Sequence, residues 1–147
     1  LDVLADFILG FSTHARFLSA NLDFKPEPRL QALTERRRIA KSAVIRKFGK
    51  RIGVIGTTTG QLSYISSPGK VIINEVLPAI QAETQKLKRR GATIIILISH
   101  LQSIDEDLAL IPKLKGIDIV IAGGGDEVLA NPGETSRQYV SPAFVCS

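Results

Sequence analysis

The sequence predicts an α/β fold, and three observations carry the prediction. Two continuous aliphatic runs, 93–99 and 117–122, lack the alternation of a half-exposed strand and are too short for helices, so they read as strands buried on both faces. A segment with helical spacing precedes each of them. A third apolar run, RIGVIG at 51–56, follows a tight turn at Phe48-Gly49-Lys50 and completes a hairpin. Helix then strand, repeated, with unbroken apolar strands, implies parallel strands joined by helical crossovers.

The individual elements follow in order. Val3, Leu4, Phe7, Ile8 and Phe11 stand at three- and four-residue spacing, so 1–11 is expected to be an amphipathic helix that Gly10 helps to stop. Residues 15–22 (ARFLSANL) read as a short strand, and the Pro-rich segment 24–28 as a loop. The hairpin takes 43–48 and 51–56. Residues 60–74, with Ser66-Ser67-Pro68-Gly69, read as a long irregular connection. Asn74 is the expected cap of a helix that tolerates Pro78 in its first turn and continues through Ile80, Thr84, Leu87 and Lys88 to Gly91. A helix over 103–114 opens on Asp105-Glu106-Asp107, acidic residues that complement the helix dipole. From Pro132 onward the pattern fades, so one unit is expected over 1–130, followed by an irregular segment, 131–147.

Composition bounds the function classes. With 147 residues and 44% hydrophobic content, the chain can bury a core, and its mean hydropathy of +0.15 excludes intrinsic disorder. The longest aliphatic stretch, ATIIILI at 92–98, falls far short of the roughly 20 residues of a membrane helix. The single cysteine, Cys146, excludes an intrachain disulfide and a cysteine zinc cluster. No methionine is present, so Leu1 is not a translation start, and the chain is expected to be a processed product or a fragment. Net charge is +5 and uneven. Ten cations between Lys25 and Arg51 face only Glu27 and Glu35, whereas 101–147 holds seven acids against three cations. The basic stretch reads as a solvated loop and an exposed hairpin, or alternatively as a docking face for polyanions. Only Phe24 and Phe48 lie there to stack bases, which supports nucleic-acid binding poorly.

Sites in α/β sheets gather at the carboxyl ends of strands. One buried run ends in Ser99-His100 and the other in Gly123-Gly124-Gly125-Asp126-Glu127. If the two strands are neighbours, His100 comes within reach of Asp126 or Glu127, and an imidazole with carboxylates is a partial ligand set for a divalent metal. Other candidates fail. GVIGTTTG at 53–60 is not a dinucleotide fingerprint, and Gly60 and Gly69-Lys70 are too far apart for a phosphate-binding loop, with Val71 where Ser or Thr is needed. Ser99 has no nucleophile-elbow glycines, and His14 is isolated in a polar turn.

The segments RIGVIGTTT (51–59), LPAIQAETQKLKRRG (77–91), IIILISHLQSIDEDLAL (94–110) and GIDIVIAGGGDE (116–127), together with 4–24, resemble the calcineurin-like metallophosphoesterase superfamily, in its 5′-nucleotidase and bacterial alkaline-phosphatase-like branch. The resemblance implies a partial metallophosphoesterase-type β-sandwich flanked by helices, with 1–130 as the C-terminal half of a catalytic domain. His100 matches the family's Ser-His metal ligand. Gly124 to Glu127 falls on the family's Gly-His-Ser-His/Gln segment, but Gly125 stands where a His ligand is expected, Asp126 replaces the Ser and Glu127 takes the last position. Losing an imidazole shifts metal preference from Zn²⁺ toward Mn²⁺, Mg²⁺ or Ca²⁺.

The family's Asp-x-His, Gly-Asp and Asn-His-Glu motifs, which supply most ligands of its two-metal site, are absent from this chain. The resemblance therefore implies part of a phosphomonoesterase acting on nucleotides or other phosphate esters through metal-activated water, inactive as an isolated piece. Its implied partners are the missing N-terminal half-domain and, through exposed sheet edges, further copies of itself. A periplasmic or extracellular location is implied in the same way. The alternatives are a non-catalytic binding module on the same scaffold and polyanion binding through 25–51.

Overall fold

A computed structural model describes residues 1–125. The expected boundary at 130/131 and the carboxylates Asp126 and Glu127 lie outside the described residues. The centre of the fold is a four-stranded sheet in the order β4 (Ser42–Lys47), β5 (Lys50–Thr58), β7 (Ile94–His100), β8 (Ile119–Ala122). β4 and β5 form the expected hairpin, and the β5–β7 and β7–β8 pairs are parallel. The hairpin closes through Phe48 and Gly49, both at positive φ (51° and 72°), the two-residue geometry that matches strand twist.

The crossover from β5 to β7 is α4 (Val76–Arg89), and the one from β7 to β8 is α5 (Ile104–Leu110) with a 3₁₀ turn at Ile111–Lys113. Ile80 and Leu87 of α4 and Leu110 of α5 pack with Ile55, Ile95, Leu97 and Leu101 from the sheet side, forming the larger core. Leu87 fits because Gly53 leaves room for it: a Cβ at Gly53 would stand 2.8 Å from Leu87 Cδ1. A second core joins Ala5 and Ile8 of α1 (Asp2–Gly10) to Leu30 and Leu33 of α2 (Pro28–Glu35), with Leu22, Phe24 and Ile39. Arg38 ties this unit together. Its buried guanidinium donates to the carbonyls of Ile8, Phe11 and Ser12, closing the C-terminal end of α1.

Several expectations are corrected. Residues 15–22 are not one strand: β1 (Phe17–Leu18) pairs parallel with β3 (Ile39–Ala40), and β2 (Leu22–Asp23) pairs antiparallel with β6 (Ile72–Ile73). The basic stretch is not a solvated loop before its hairpin, because α2 lies in it and buries Leu30 and Leu33. The connection 60–74 holds α3 (Leu62–Ile65) as well as β6. Glu75, not Asn74, is the first flanking residue of α4, and the Asn74 side chain instead donates to the Asn21 carbonyl. The helix expected over 103–114 ends at Leu110 and tightens into the 3₁₀ turn, where Pro112 has no N–H to continue an α-helical ladder. Ser103 caps it, its Oγ accepting from Glu106 N.

Candidate metal centre

β7 alternates in burial along its carboxyl half: Leu97 and Ser99 face the helices, whereas Ile98 and His100 face the open side of the sheet. Register places Thr58 of β5 beside His100, and Ser99 beside Ala122 of β8. The strands ending in Ser99-His100 and Ala122-Gly123 are therefore neighbours, as the candidate site requires. Past these ends the chains stay close. Gly123 N donates to Ser99 O at 2.8 Å, and a Cβ at Gly124 would stand 1.7 Å from the Leu101 carbonyl oxygen, so only glycine fits there.

His100 Nδ1 lies 3.1 Å from the Gly123 carbonyl oxygen. A carbonyl can only accept, so the proton of this bond is on Nδ1, and the neutral exposed ring is left with its lone pair on Nε2. Fixing one nitrogen by a backbone carbonyl is how metal-binding imidazoles are held in tautomer and orientation. The ring thus fits a metal ligand. No group of three or more His, Cys, Asp or Glu side chains placed to hold a metal occurs among the described residues, and His100 stands at this rim as a single imidazole. At Gly125 the backbone has φ 91°, a left-handed conformation that a side chain such as His adopts only with strain.

The rest of the rim is polar and firmly tied. Glu106 accepts from Gln61 Nε2 after β5 and from Gln102 N after β7, which joins the two strand-end loops. Thr58 is clamped by the fully buried Asn21, whose Nδ2 donates to Thr58 O at 2.8 Å and whose Oδ1 accepts from Thr58 N at 3.0 Å. A side-chain amide here takes the place of a neighbouring strand at the end of β5. The Oγ atoms of Ser19 and Thr58 are hydrogen-bonded at 3.0 Å. Sequence reasoning found His100 but missed Asn21, because a short polar residue between Ala20 and Leu22 carries no periodic signal. Among the described residues, Thr57 Oγ1, Ser99 Oγ and both carboxylate oxygens of Asp107 are buried without a hydrogen-bond partner.

Of the remaining residues singled out from sequence, His14 is exposed beside Ser12. No described helix is long and apolar enough to cross a membrane. The ten cations of 25–51 do not form one patch: Arg29 bridges Asp2 and Asp6, and Arg38 is buried.

No family model matches the chain. A probable 5′-nucleotidase of Treponema pallidum (strain Nichols) is 35% identical over 115 residues, which cover 69% of this chain and 19% of that protein. The crystal structure of a 5′-nucleotidase precursor from Thermus thermophilus superposes with a TM-score of 0.72 at 36% identity, covering 82% of this chain and 22% of the other. The calcineurin-like phosphoesterase YfkN from Bacillus subtilis shares the fold, with a TM-score of 0.63 at 21% identity over 83% of this chain and 40% of that one. The chain spans about a fifth of the length of the curated relatives it matches.

Proposed function

Because this chain belongs to the 5′-nucleotidase-like metallophosphoesterases over the region it shares with them, we propose that it is the C-terminal half of the catalytic domain of a divalent-metal-dependent phosphomonoesterase. The single observation that carries the reading is His100, held at a strand end with Nδ1–H on the Gly123 carbonyl and Nε2 free. Nucleoside 5′-monophosphates are the proposed substrate class.

In this reading His100 Nε2 would hold one ion, with Asp126 and Glu127 as the further ligands that the resemblance assigns. The remaining ligands come from motifs that the resemblance places ahead of this segment. A divalent ion bound there supplies Lewis acidity and a water activated at neutral pH. The chain's own part is positioning: Asn21 fixes the end of β5, Glu106 joins the two loops, and the Gly123 carbonyl sets the imidazole. Ile98, Ile119 and Ile121 lie exposed on the open face of the sheet, which supports a second layer covering that face in the complete domain. A location outside the cytoplasm belongs to the same proposal and rests on the family resemblance.

The test is Mn²⁺ calorimetry with p-nitrophenyl phosphate hydrolysis, on this chain and on a polypeptide extended to include the upstream motifs, each with and without His100→Ala. The extended form is expected to bind Mn²⁺ and turn over, with His100→Ala reducing turnover by at least about 100-fold, in line with loss of a ligand. The short chain is expected to be inactive. Full turnover in the His100→Ala extended form would refute the assignment.

A further inference from the structure

The hairpin tip breaks three local rules that the rest of the sheet obeys. Register sets Arg46 directly opposite Arg51 and Lys47 directly opposite Lys50. Side chains so paired stand about 5 Å apart, and like charges there are destabilising. None of the four takes part in an ion pair among the described residues. Arg51 alone finds an acceptor, the Arg90 carbonyl at 2.8 Å. The turn between the pairs places Phe48 at φ 51°, where Asn, Asp or Gly is the favourable choice. Phe48 is 90% exposed, with Lys47 Nζ 5.3 Å from its ring centroid. Stability alone would select opposite charges and a polar turn residue, and a cluster of such violations at one point is the mark of a surface kept for binding.

We propose that this tip docks on an anionic phospholipid surface, with Phe48 entering the interface between headgroups and Arg46, Lys47 and Lys50 contacting them. An aromatic apex flanked by cations matches the two forces available at such a surface, apolar insertion and attraction to negative lipid. A single-stranded nucleic acid would need aromatic faces in series. The tip offers one ring, and Tyr64, the other aromatic of comparable exposure among the described residues, belongs to α3 after the far end of β5. The basic last turn of α4, Lys86, Lys88 and Arg89, has its own explanation in the helix dipole, yet it extends the same positive field, since Arg90 abuts Arg51. β5 carries the chain from Lys50 at this tip to Thr58 beside His100, a span of roughly 26 Å at the usual strand rise. Docking by the tip therefore turns the His100 rim toward water.

The experiment is co-sedimentation of the chain with vesicles of phosphatidylcholine alone, or of phosphatidylcholine with about one-third phosphatidylserine, at about 0.1 M salt. Binding is expected only to the anionic vesicles and is abolished at about 1 M salt. Each removed cation is expected to weaken partitioning about fivefold, so Lys47→Gln with Lys50→Gln weakens it about 25-fold. Phe48→Asn separates binding from folding: it relieves the left-handed strain, so the melting temperature rises while partitioning falls. Equal binding to neutral vesicles, tighter binding to single-stranded DNA than to anionic lipid, no binding to anionic vesicles, or undiminished partitioning of the variants would each overturn the proposal.

Discussion

Replacing Asn21 by Ala removes the amide that serves both backbone groups of Thr58, at 2.8 and 3.0 Å, and a weaker bond from Ser19 Oγ at 3.4 Å. Two part-buried backbone groups lose their partners, each costing about 1–2 kcal/mol, so the expected loss is about 3 kcal/mol, a large share of the roughly 5–15 kcal/mol typical of a domain. Urea unfolding followed by circular dichroism measures it, and hydrogen exchange locates it: the Thr58 amide should lose protection before the amides of β7. Asn21→Asp sharpens the test. An ionised carboxylate still accepts from Thr58 N but faces the Thr58 carbonyl with no proton, whereas the protonated form donates as the amide did. Burial raises the pKa of such a group, so this variant should be most stable at acid pH and lose stability as pH rises through that raised value. A loss below about 1 kcal/mol, or a Thr58 amide still protected in Asn21→Ala, would refute the clamp.

Arg38→Ala leaves the carbonyls of Ile8, Phe11 and Ser12 without their buried donor and should cost about 3 kcal/mol by urea unfolding, with Arg38→Lys recovering only part of it. Gly56→Ala should abolish a cooperative melt, because its Cβ would stand 2.3 Å from the Leu18 carbonyl oxygen, whereas Gly60→Ala, with nothing within 4 Å, serves as the control. The hydrogen bond from Arg29 holds the Asp2 carboxyl below its ordinary value. Its contribution is therefore present above the unfolded carboxylate range, near about pH 4, and is lost as pH falls through the lowered folded value. The melting-temperature gap between wild type and Asp2→Asn should accordingly close on acidification and shrink with salt, since both side chains are exposed.

What the sequence made legible is the part of the fold whose residues are aliphatic in continuous runs, although burial on both faces does not hold for β8 or the carboxyl half of β7, where Ile98, Ile119 and Ile121 are exposed. β5, β7 and β8 announce themselves because aliphatic residues fill both faces, and the hairpin because Gly49 marks its turn. α2 was hidden by Pro26 and Pro28, which suggest a loop, although Pro28 stands in the first turn of the helix and Leu30 and Leu33 are spaced to share one face. Two-residue strands such as β1 and β2 have no periodicity to detect, and their pairing partners lie roughly twenty to fifty residues away. At the candidate site, His100 was legible from its place after a buried run. Asn21 was not, because its role comes from a tertiary approach to Thr58. Arg38 was counted among surface cations, since nothing in its local sequence shows that the end of α1 folds over it.

The central claim, that the His100 ring is set to offer Nε2 to a metal, is tested most directly by ring-nitrogen NMR during Mn²⁺ titration of the polypeptide extended to include the upstream motifs, with His14 as the internal comparison. The account predicts that neutral His100 carries its proton on Nδ1 and that its ring signals broaden at Mn²⁺ concentrations that leave the exposed His14 unaffected. A proton on Nε2 of His100, or broadening of the two histidines together, would contradict it.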